Sequence, residues 1–486
     1  MKKQLLLFLI IPFLNFGQVQ IGQDIDGAFA FDQSGWSVSS SDNGNIIAIG
    51  APGNDGNSPN SGHVRVYENI SGNWIQKGND INGIAENDFF GSAVSLSSNG
   101  LILAVGAEGN NGNGNDSGHV RVFEYIGANW TQIGSDINGE NINDRFGSFV
   151  SLSSDGNIVA AGAKFNDGNG NDSGHVRVYE NTGGNWIQIG NDIDGVFTDD
   201  EAGSSVSISS DGNIVAVGSP FNDDNGNDSG HVRVYENIGG NWIQIGNNID
   251  GEVVDDNSGW SVSLSANGNI VAIGARYNSD SGYRSGHVRV YENIGGNWIQ
   301  IGNDIDGEAA GDLSGSSVSL SSDGSIISIG APFNNIATGH VRIYQNQGGI
   351  WVQIGNDIDG EDTFNDFGRS ISLSSNGNII TVGGFSNDGN GNQSGHVRVY
   401  DLSALLSVEE QKELSFSIYP NPTKNQFTIQ LKNQLSLNNI NIYNNLGKLV
   451  LTSKETIINT SELSSGLYVV EVETTDGKET KKLIIE

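Results

Sequence analysis

Residues 202–251 read AGSSVSISSDGNIVAVGSPFNDDNGNDSGHVRVYENIGGNWIQIGNNIDG, and this stretch decides the fold. Asp211-Gly212 and Gly239-Gly240 have the composition of tight turns, and the polar run from Asn222 is typical of a loop. Four segments between them have the alternation or the short apolar run that indicates strands, with no helical period: Ser204 to Ser209, Asn213 to Gly218, His231 to Tyr235 and Trp242 to Ile245. The stretch therefore predicts four short strands joined by hairpins.

The unit recurs seven times along the chain. Each copy carries Gly-His-Val-Arg, with a spacing of 56 residues except for one of 53, and the chain has no other histidine: His63, His119, His175, His231, His287, His340 and His396. Seven copies of a four-stranded unit predict an all-β fold, a seven-bladed β-propeller. An open β-solenoid is the alternative, although it would need shorter rungs and terminal caps.

The two ends of the repeat array predict a closed ring. The seventh copy stops after its third strand, at His396 to Tyr400, and lacks the Trp-Ile-Gln-Ile strand. Residues 18–27 match residues 186–195 from the second position onward, with Gln18 in place of a tryptophan. We therefore expect the first strand of the chain to complete the last blade, which would remove exposed sheet edges.

Composition divides the chain into four segments. Residues 1–17 begin with Lys2 and Lys3, continue with an apolar stretch too short to span a bilayer, and are predicted to be a signal peptide, with a buried N-terminal strand as the alternative. Residues 18–401 form the repeat array, and residues 402–415 are read as a charged linker. Residues 416–486 alternate like the strands of a small Ig-like β-sandwich, and no segment has the pattern of a transmembrane helix.

The charge lies almost wholly on the repeat array. The chain has a net charge of −34, and residues 18–401 contain 47 acidic and 13 basic residues. Such a surface repels nucleic acid and anionic membranes and attracts cations, so no nucleic-acid partner is expected. Solubility of an extracellular protein is the alternative explanation. The chain has no cysteine, which excludes disulfides, thiolate metal sites and cysteine nucleophiles.

Two short motifs recur at fixed places in the repeat. Phe-Gly pairs stand at Phe90, Phe146 and Phe367, and Gly-Ala-Pro or Gly-Ser-Pro stands at residues 50–52, 330–332 and 218–220. With these motifs the repeat resembles the FG-GAP repeat, the blade of integrin α-chain propellers and of many bacterial surface proteins. The resemblance implies a propeller over residues 18 to about 401. Integrin-type blades also carry a calcium loop between their first two strands, but this chain has only short turns there, such as Ser153 to Gly156.

The C-terminal segment carries a set of spaced motif residues: Pro420, Asn421, Pro422, Gly447, Gly466, Tyr468, Lys481 and Lys482. With these residues it resembles the type A sorting domain of the type IX secretion system of Bacteroidetes. The resemblance implies export, recognition by the secretion machinery as a partner, removal of the domain, and a mature protein that is secreted or held at the cell surface. An ordinary Ig-like sandwich is the alternative.

Calcium is the one cofactor that the loops suggest. The loops between the second and third strands offer carboxylate and amide oxygens at mostly alternating positions, which suits calcium: Asp167, Asn169, Asn171 and Asp172 in one copy, and Asp223, Asn225, Asn227 and Asp228 in the next. The alternative is turn chemistry alone, because Asn, Asp and Gly favour turns and no bidentate Glu closes the loop.

Residues that recur in every copy are expected to pack the blade, and function is expected where the repeat breaks. The repeated histidines and arginines are therefore assigned to structure, and we expect the arginines to pair with the aspartates three residues before the first-strand glycine: Asp32, Asp88, Asp144, Asp200, Asp256 and Asp312. The fifth copy and two tryptophans depart from the repeat and form a predicted recognition patch: Arg276, Tyr277, Tyr283, Arg284, Trp36 and Trp260. Core filling is the alternative for the tryptophans.

Three functions fit these observations. The first is a non-enzymatic binding or adhesion module with an extracellular protein or glycan ligand. The second is a carboxylate-based hydrolase or lyase acting on polysaccharide, because a glycosidase needs only two carboxylates. The third is a structural surface-coat protein. Catalytic triads, histidine-based zinc sites and nucleotide-binding motifs are not expected, since every histidine belongs to the repeat.

Overall fold

A computed structural model describes residues 17–406, 416–431, 436–474 and 477–486. Residues 1–16 of the predicted signal peptide and most of the predicted linker lie outside the described residues. The chain divides into two compact units at Leu406. Among the described residues, no helix is long and apolar enough to cross a membrane.

The first unit is built from short strands. In chain order they are β1 (Val19–Gln20), β2 (Ile25–Asp26), β3 (Ser37–Ser40), β4 (Ile46–Ala51), β5 (His63–Ile70), β6 (Asn73–Gln76), β7 (Ile81–Asn82), β8 (Phe90–Leu96), β9 (Ile102–Ala107), β10 (His119–Ile126), β11 (Asn129–Gln132), β12 (Ile137–Asn138), β13 (Phe149–Leu152), β14 (Ile158–Ala163), β15 (His175–Thr182), β16 (Asn185–Gln188), β17 (Ile193–Asp194), β18 (Ser205–Ile208), β19 (Ile214–Ser219), β20 (His231–Ile238), β21 (Asn241–Gln244) and β22 (Ile249–Asp250). They continue with β23 (Ser258–Leu264), β24 (Ile270–Ala275), β25 (His287–Ile294), β26 (Asn297–Gln300), β27 (Ile305–Asp306), β28 (Ser317–Leu320), β29 (Ile326–Ala331), the single turn α1 (Asn334–Ala337), β30 (His340–Asn346), β31 (Trp351–Gln353), β32 (Ile358–Asp359), β33 (Ser370–Leu373), β34 (Ile379–Gly384), β35 (His396–Asp401) and the turn α2 (Ser403–Leu406).

These strands form seven antiparallel sheets with the same order, here called blades 1 to 7. In blade 3, for example, the order is β13-β14-β15-β16, and the two-residue strand β17 pairs with the other half of β15. The fifth short strand is a feature that the sequence analysis read as an inter-blade connection. The prediction of an all-β propeller of repeated four-stranded sheets is confirmed.

The ring closes through its innermost strands. Each first strand contacts the first strand of the next blade, and β3 of blade 1 contacts β33 of blade 7. Near one end of these strands, seven backbone amides donate in a circle, each to the carbonyl oxygen of the next blade, at 2.8–3.0 Å: Asp42, Ser98, Ser154, Ser210, Ala266, Ser322 and Ser375. Hydrogen bonds of normal length between all neighbours leave no edge at the centre of the ring.

The glycines of the FG and GAP motifs lie against one another across the blade boundaries. A Cβ placed on Gly162, in the GAP position of blade 3, would stand 2.1 Å from the carbonyl oxygen of Gly203, in the FG position of blade 4. Gly203 itself has φ +89°, a conformation that side chains disfavour. The motif therefore supplies the close approach that lets seven sheets pack around one axis.

The other repeated residues also join blades, as assigned from the sequence. The histidines are 0–3% exposed, and burial lowers the pKa of His175 to about 4. Arg177 donates from Nη2 to the carbonyl oxygen of Asn138 in the preceding blade at 2.9 Å, and its guanidinium lies 4.4 Å from the centroid of the buried Phe146 ring. Trp186 donates from Nε1 to the carbonyl oxygen of Ile133 at 3.0 Å, and the other five strand tryptophans make the equivalent bond.

The expected pairing of the repeated aspartates with the arginines is wrong. The Asp200 carboxylate accepts hydrogen bonds from the backbone amides of Val196 and Phe197 and from the Asn222 side chain, at 2.8–3.0 Å. Asp32, Asp88, Asp144, Asp256 and Asp312 have the same kind of partners. These aspartates hold the connection between blades, because turn amides need acceptors when they are buried.

Both ends of the repeat array lie in blade 7. The first strands of the chain, β1 and β2, pair with β35. Asp24 accepts a hydrogen bond from Arg398 Nε at 3.0 Å and lies 3.5 Å from His396 Nδ1. Residues 402–406, which the sequence analysis assigned to the linker, pack on this unit instead, because Leu402 is fully buried and Leu405 joins the same apolar cluster.

The second unit has two sheets around one apolar core. Its strands are β36 (Phe416–Tyr419), β37 (Gln426–Leu431), β38 (Leu437–Asn444), β39 (Leu449–Ser453), β40 (Ile457–Asn459), β41 (Gly466–Thr474) and β42 (Gly477–Ile485), in the orders β36-β37-β40 and β39-β38-β41-β42. Asn421 of the Pro-Asn-Pro motif donates to the carbonyl oxygen of Lys482 at 2.8 Å and accepts from the amide of Ile484 at 2.9 Å. The motif thus fastens the chain entry to the last strand. Tyr468 is buried, and its hydroxyl donates to the carbonyl oxygen of Ser464 at 2.8 Å.

Candidate functional site

A cavity of about 300 Å³ opens along the axis of the propeller. It is lined by residues at the beginning of all seven first strands, opposite the end that carries the circle of backbone hydrogen bonds. The loops between second and third strands and the connections between blades reach the same face, because both lead to this end of the strands. We call this opening the axial mouth, defined by Trp36, Glu108, Lys164, Glu201, Trp260 and Arg369.

The axial mouth collects the cations that the repeat does not use. Of the 13 basic residues in residues 18–401, seven are the repeated arginines, and Lys77 pairs with Glu68 at 2.8 Å on an outer strand. The other five lie at or beside the mouth: Arg145, Lys164, Arg276, Arg284 and Arg369. Within the described part of the chain, no carboxylate oxygen lies within 4.0 Å of any of the four arginines.

Blade 5 stacks its arginines on aromatic rings. The Arg276 guanidinium lies 2.9 Å from the centroid of the Trp260 ring and 4.4 Å from that of the Tyr277 ring. The Arg284 guanidinium lies 4.3 Å from the centroid of the same Tyr277 ring. The buried Nε of Arg276 has no hydrogen-bond partner among the described residues. Such stacking holds a guanidinium in place while its N–H groups stay available to a ligand.

Burial and neighbouring cations set the electrostatics of this side. Burial is the main cause that lowers the pKa of Arg276 to about 10, and the charges of Arg369 and Arg284 act in the same direction. Arg369 lies across the cavity near Trp36, with 5.8 Å from its guanidinium carbon to the ring centroid. Three guanidinium groups without carboxylate partners repel one another, so an anion placed between them would relieve that repulsion.

The other side of the mouth contains acids. Lys164 lies 3.6 Å from Glu108. Burial raises the pKa of Glu201 to about 7, the nearby charge of Lys164 opposes that rise, and the Ser204 hydroxyl donates to its Oε2 at 3.4 Å. A carboxyl group that titrates near neutral pH in a cavity can exchange protons with a bound ligand.

The structure brings most of the predicted recognition residues together. Arg276, Tyr277, Arg284 and Trp260 form one stacked group, and Tyr283 lies beside it with 71% of its surface exposed. Trp36 lies across the cavity with its ring 4.8 Å from that of Phe385. Both tryptophans line the cavity and are half-buried, and their part in recognition stays a prediction.

The sequence analysis missed Arg145, Lys164, Glu201, Arg369 and Glu108. Each of these residues differs in type from the residues at the same position of the other copies. The residue after the Gly-Ala or Gly-Ser pair is Pro52, Glu108, Lys164, Pro220, Arg276 and Pro332 in blades 1 to 6. An alignment of the seven copies would have shown that this position of the repeat is variable. It would also have shown that Lys164 and Glu108 occupy the same position as Arg276.

The polar groups of the acidic loops proposed for calcium make hydrogen bonds within the loop and to the neighbouring connection between blades. Asp167 accepts from the amide of Asp172 at 2.9 Å, and the Asn169 side chain donates to the carbonyl oxygen of Gly195 at 2.9 Å. Asn171 donates to the Asp172 carboxylate, and the loop with Asp223, Asn225, Asn227 and Asp228 repeats each of these bonds. These contacts agree with turn chemistry, and calcium binding here stays a prediction.

Comparison with protein families confirms both resemblances. Residues 417–486 match the model of the secretion system C-terminal sorting domain, and residues 82–123 match that of the FG-GAP repeat. The chain carries both elements. The sorting domain indicates recognition by the type IX secretion system, and secretion or attachment at the outer surface.

Comparison with individual proteins gives partial matches. Ulvan lyase NLR42 of Nonlabens ulvanivorans is 40% identical over 81 residues, which are 16% of this chain and 15% of that protein. Periplasmic gluconolactonase PpgL of Pseudomonas aeruginosa has a TM-score of 0.47 at 14% identity, over 87% of this chain and 95% of that one. A Bacteroides uniformis protein provisionally described as a 6-phosphogluconolactonase has the same TM-score and coverage at 11% identity.

Proposed function

We propose that the propeller is a secreted or surface-held binding module that takes an anionic ligand, a carboxylated or sulfated glycan, in its axial mouth. The observation that carries the proposal is the gathering of four arginines without carboxylate partners at one opening of a strongly acidic protein. Arginine suits carboxylate and sulfate groups because its planar fork can donate two parallel hydrogen bonds.

The aromatic residues of the mouth support a glycan in particular. Trp36, Trp260 and Tyr283 present ring surface at an opening, and such rings contribute binding area at little cost in conformational freedom. A cavity of about 300 Å³ admits one or two sugar rings or the end of a chain.

The test measures binding of a carboxylated and a sulfated polysaccharide by isothermal titration to the full chain. Arg284→Gln removes an exposed cation of the mouth and should weaken binding by about tenfold, the loss of one charge-assisted hydrogen bond. Lys77→Gln removes an equal charge from an outer strand and should leave the affinity unchanged. Equal affinity of both variants and the original protein would refute the proposed site.

A second function, polysaccharide lyase or hydrolase chemistry, is favoured by one specific observation. Burial raises the pKa of Glu201 to about 7, and this residue lines the same cavity as Glu108, Lys164 and Arg369. Arginines would neutralise an acidic sugar while Glu201 moves a proton. The partial match to a protein named as an ulvan lyase points in the same direction.

Activity is distinguished from binding by product formation. Elimination on an acidic polysaccharide creates a double bond conjugated to a carboxylate, which absorbs in the ultraviolet, and hydrolysis creates a reducing end. If the chain is an enzyme, Glu201→Gln should abolish either signal while binding persists. Binding without either product supports the non-enzymatic function.

A further inference from the structure

The repeated histidines come together with carboxylates that the mouth does not use. In five of the seven blades, a buried histidine lies with two or three carboxylate groups whose oxygens and its ring nitrogen are all within 4.8 Å of one another. Blade 5 has the largest group, formed by Glu252, Asp280, His287 and Asp304. Four different segments supply it: the strand β25, the loop before it, the turn before β27 and the end of blade 4.

The histidine of this group has no hydrogen-bond partner. The His287 side chain is 0% exposed, and neither Nδ1 nor Nε2 makes a hydrogen bond within the described residues. Its Nδ1 faces Asp304 Oδ2 at 3.7 Å and Glu252 Oε2 at 4.0 Å. Both separations are too long for a hydrogen bond, and a buried nitrogen without a partner normally costs stability.

The same separations suit a shared metal ion. Ligand atoms bound at about 2.1 Å around one tetrahedral zinc ion stand about 3.4 Å apart. The atoms of this group lie within 4.8 Å of one another, so the side chains would have to move together by up to about 1.4 Å to complete the site. Imidazole nitrogen favours zinc over calcium or magnesium, while carboxylate oxygens are accepted by all three. From this geometry we infer that blade 5 carries a divalent transition-metal site, best suited to Zn²⁺, with Glu252, Asp280, His287 and Asp304 as ligands.

Comparison of the blades supports a built site. The residue after the Asp-Gly or Asn-Gly of the connection is a glutamate before blades 3, 5, 6 and 7. Glu140, Glu252 and Glu308 belong to such groups, whereas Glu361 pairs with Arg398 instead. In blade 1, Asp80 makes a bidentate pair with Arg65 at 2.8 and 3.0 Å. Among the described residues, blade 5 alone joins the glutamate, a loop aspartate and the aspartate before the short strand to its histidine.

The positive charge of Arg289 lowers the affinity of the proposed site for a metal ion. Its Nη1 lies 3.5 Å from Glu252 Oε1, while the other oxygen of Glu252 faces His287. Its Nη2 is held by the carbonyl oxygen of Asp250 at 2.7 Å. The arginine thus neutralises part of the charge without occupying the space between the ligands.

The test is a titration of the metal-stripped full chain with Zn²⁺ alone, followed by isothermal calorimetry and thermal melting. We expect a binding event that raises the melting temperature, since an ion that binds only the folded state stabilises it. Asp280→Asn removes one exposed ligand and should weaken the tightest binding by about tenfold or more. Asp255→Asn removes an equally exposed carboxylate outside the group and should change nothing.

His287→Gln should abolish the tightest binding, and His63→Gln in blade 1, which has no such group, should retain it even if both variants lose stability. Three results would overturn the inference: no binding of Zn²⁺ at 100-fold excess over protein, equal affinity of Asp280→Asn and Asp255→Asn, or stabilisation by Ca²⁺ and not by Zn²⁺.

Discussion

The buried histidines predict a steep loss of stability in mild acid. Burial lowers the pKa of His63, His119, His175 and His287 to about 4, and that of His231 to about 3, from an ordinary value of 6.5. Because the folded-state pKa is below the unfolded value, the unfolded chain takes up protons first as the pH falls. Stability is therefore fully present above about pH 6.5 and is lost between pH 6.5 and 4.

The magnitude follows from the shifts. A shift of 2.5 units corresponds to about 3 kcal/mol per histidine once the pH is below both values. At pH 5.5 the loss is on the order of 1 kcal/mol per histidine, so five of them lower the free energy of unfolding by several kcal/mol. That is comparable with the whole stability of an ordinary domain. Glu201 acts in the opposite direction, because its raised pKa, about 7, makes the folded state take up one proton in the same range.

The measurement is urea unfolding of the full chain in EDTA at a series of pH values from 8 to 5. EDTA keeps metal binding out of the comparison. Between pH 6 and 5, unfolding should be coupled to the uptake of about four protons, read from the slope of free energy against pH. His63→Gln should lower that number by about one, whatever its effect on stability itself. A free energy of unfolding that is constant or rises from pH 7.5 to 5.5 would refute the account of these histidines.

Three further predictions concern packing and the axial mouth. Phe146→Ala should lower the free energy of unfolding by about 3–5 kcal/mol, because the ring is fully buried beneath Arg177, and a loss below 1 kcal/mol by chemical denaturation would contradict that packing. Gly162→Ala should destabilise the propeller, since the added Cβ would meet the Gly203 carbonyl oxygen at 2.1 Å, whereas Gly183→Ala, with open space around it, should cost only the strain of its positive φ; equal melting temperatures would argue against the close approach. Binding of an anionic glycan should tighten from pH 8 to 6 as Glu201 becomes neutral, and Glu201→Gln should remove that dependence; an unchanged pH profile in the variant would exclude Glu201 from the mouth's charge balance.

The fold was predictable because the same local pattern of strands and turns recurs in seven copies of the repeat. The Gly-His-Val-Arg signature fixed the third strand, and the match of residues 18–27 to residues 186–195 led to the pairing of β1 and β2 with β35. The pairing of Asp200 was mistaken because turn amides three and four residues before it compete with a distant arginine, and short-range donors are not visible in a spacing pattern. Leu402 was assigned to the linker because composition changes there, although an apolar side chain can still close a core.

The axial mouth was only half predictable because it is assembled by ring closure. Arg276 and Trp260 lie in one blade and stood out as a local change of composition. Arg369 and Lys164 lie in other blades, each alone among acidic and polar neighbours. No sequence window contains them together, and only the closure of blade 7 onto blade 1 brings Arg369 and Trp36 to the same opening.

The repeated arginines use their charge in contacts between blades, and this explains why the mouth differs from the rest of the surface in its electrostatic potential. Each repeated arginine is held between blades, as Arg177 is by the Asn138 carbonyl oxygen and the Phe146 ring. These arginines therefore fix neighbouring blades and add little positive potential at the surface. Exposed acidic loops, with residues such as Asp167 and Asp223, surround the mouth on the same face and repel an anion. Within the mouth, arginines without carboxylate partners attract it. Specificity for an anionic ligand then follows from exclusion elsewhere as much as from attraction at the mouth, which is the arrangement that favours a single site over diffuse binding.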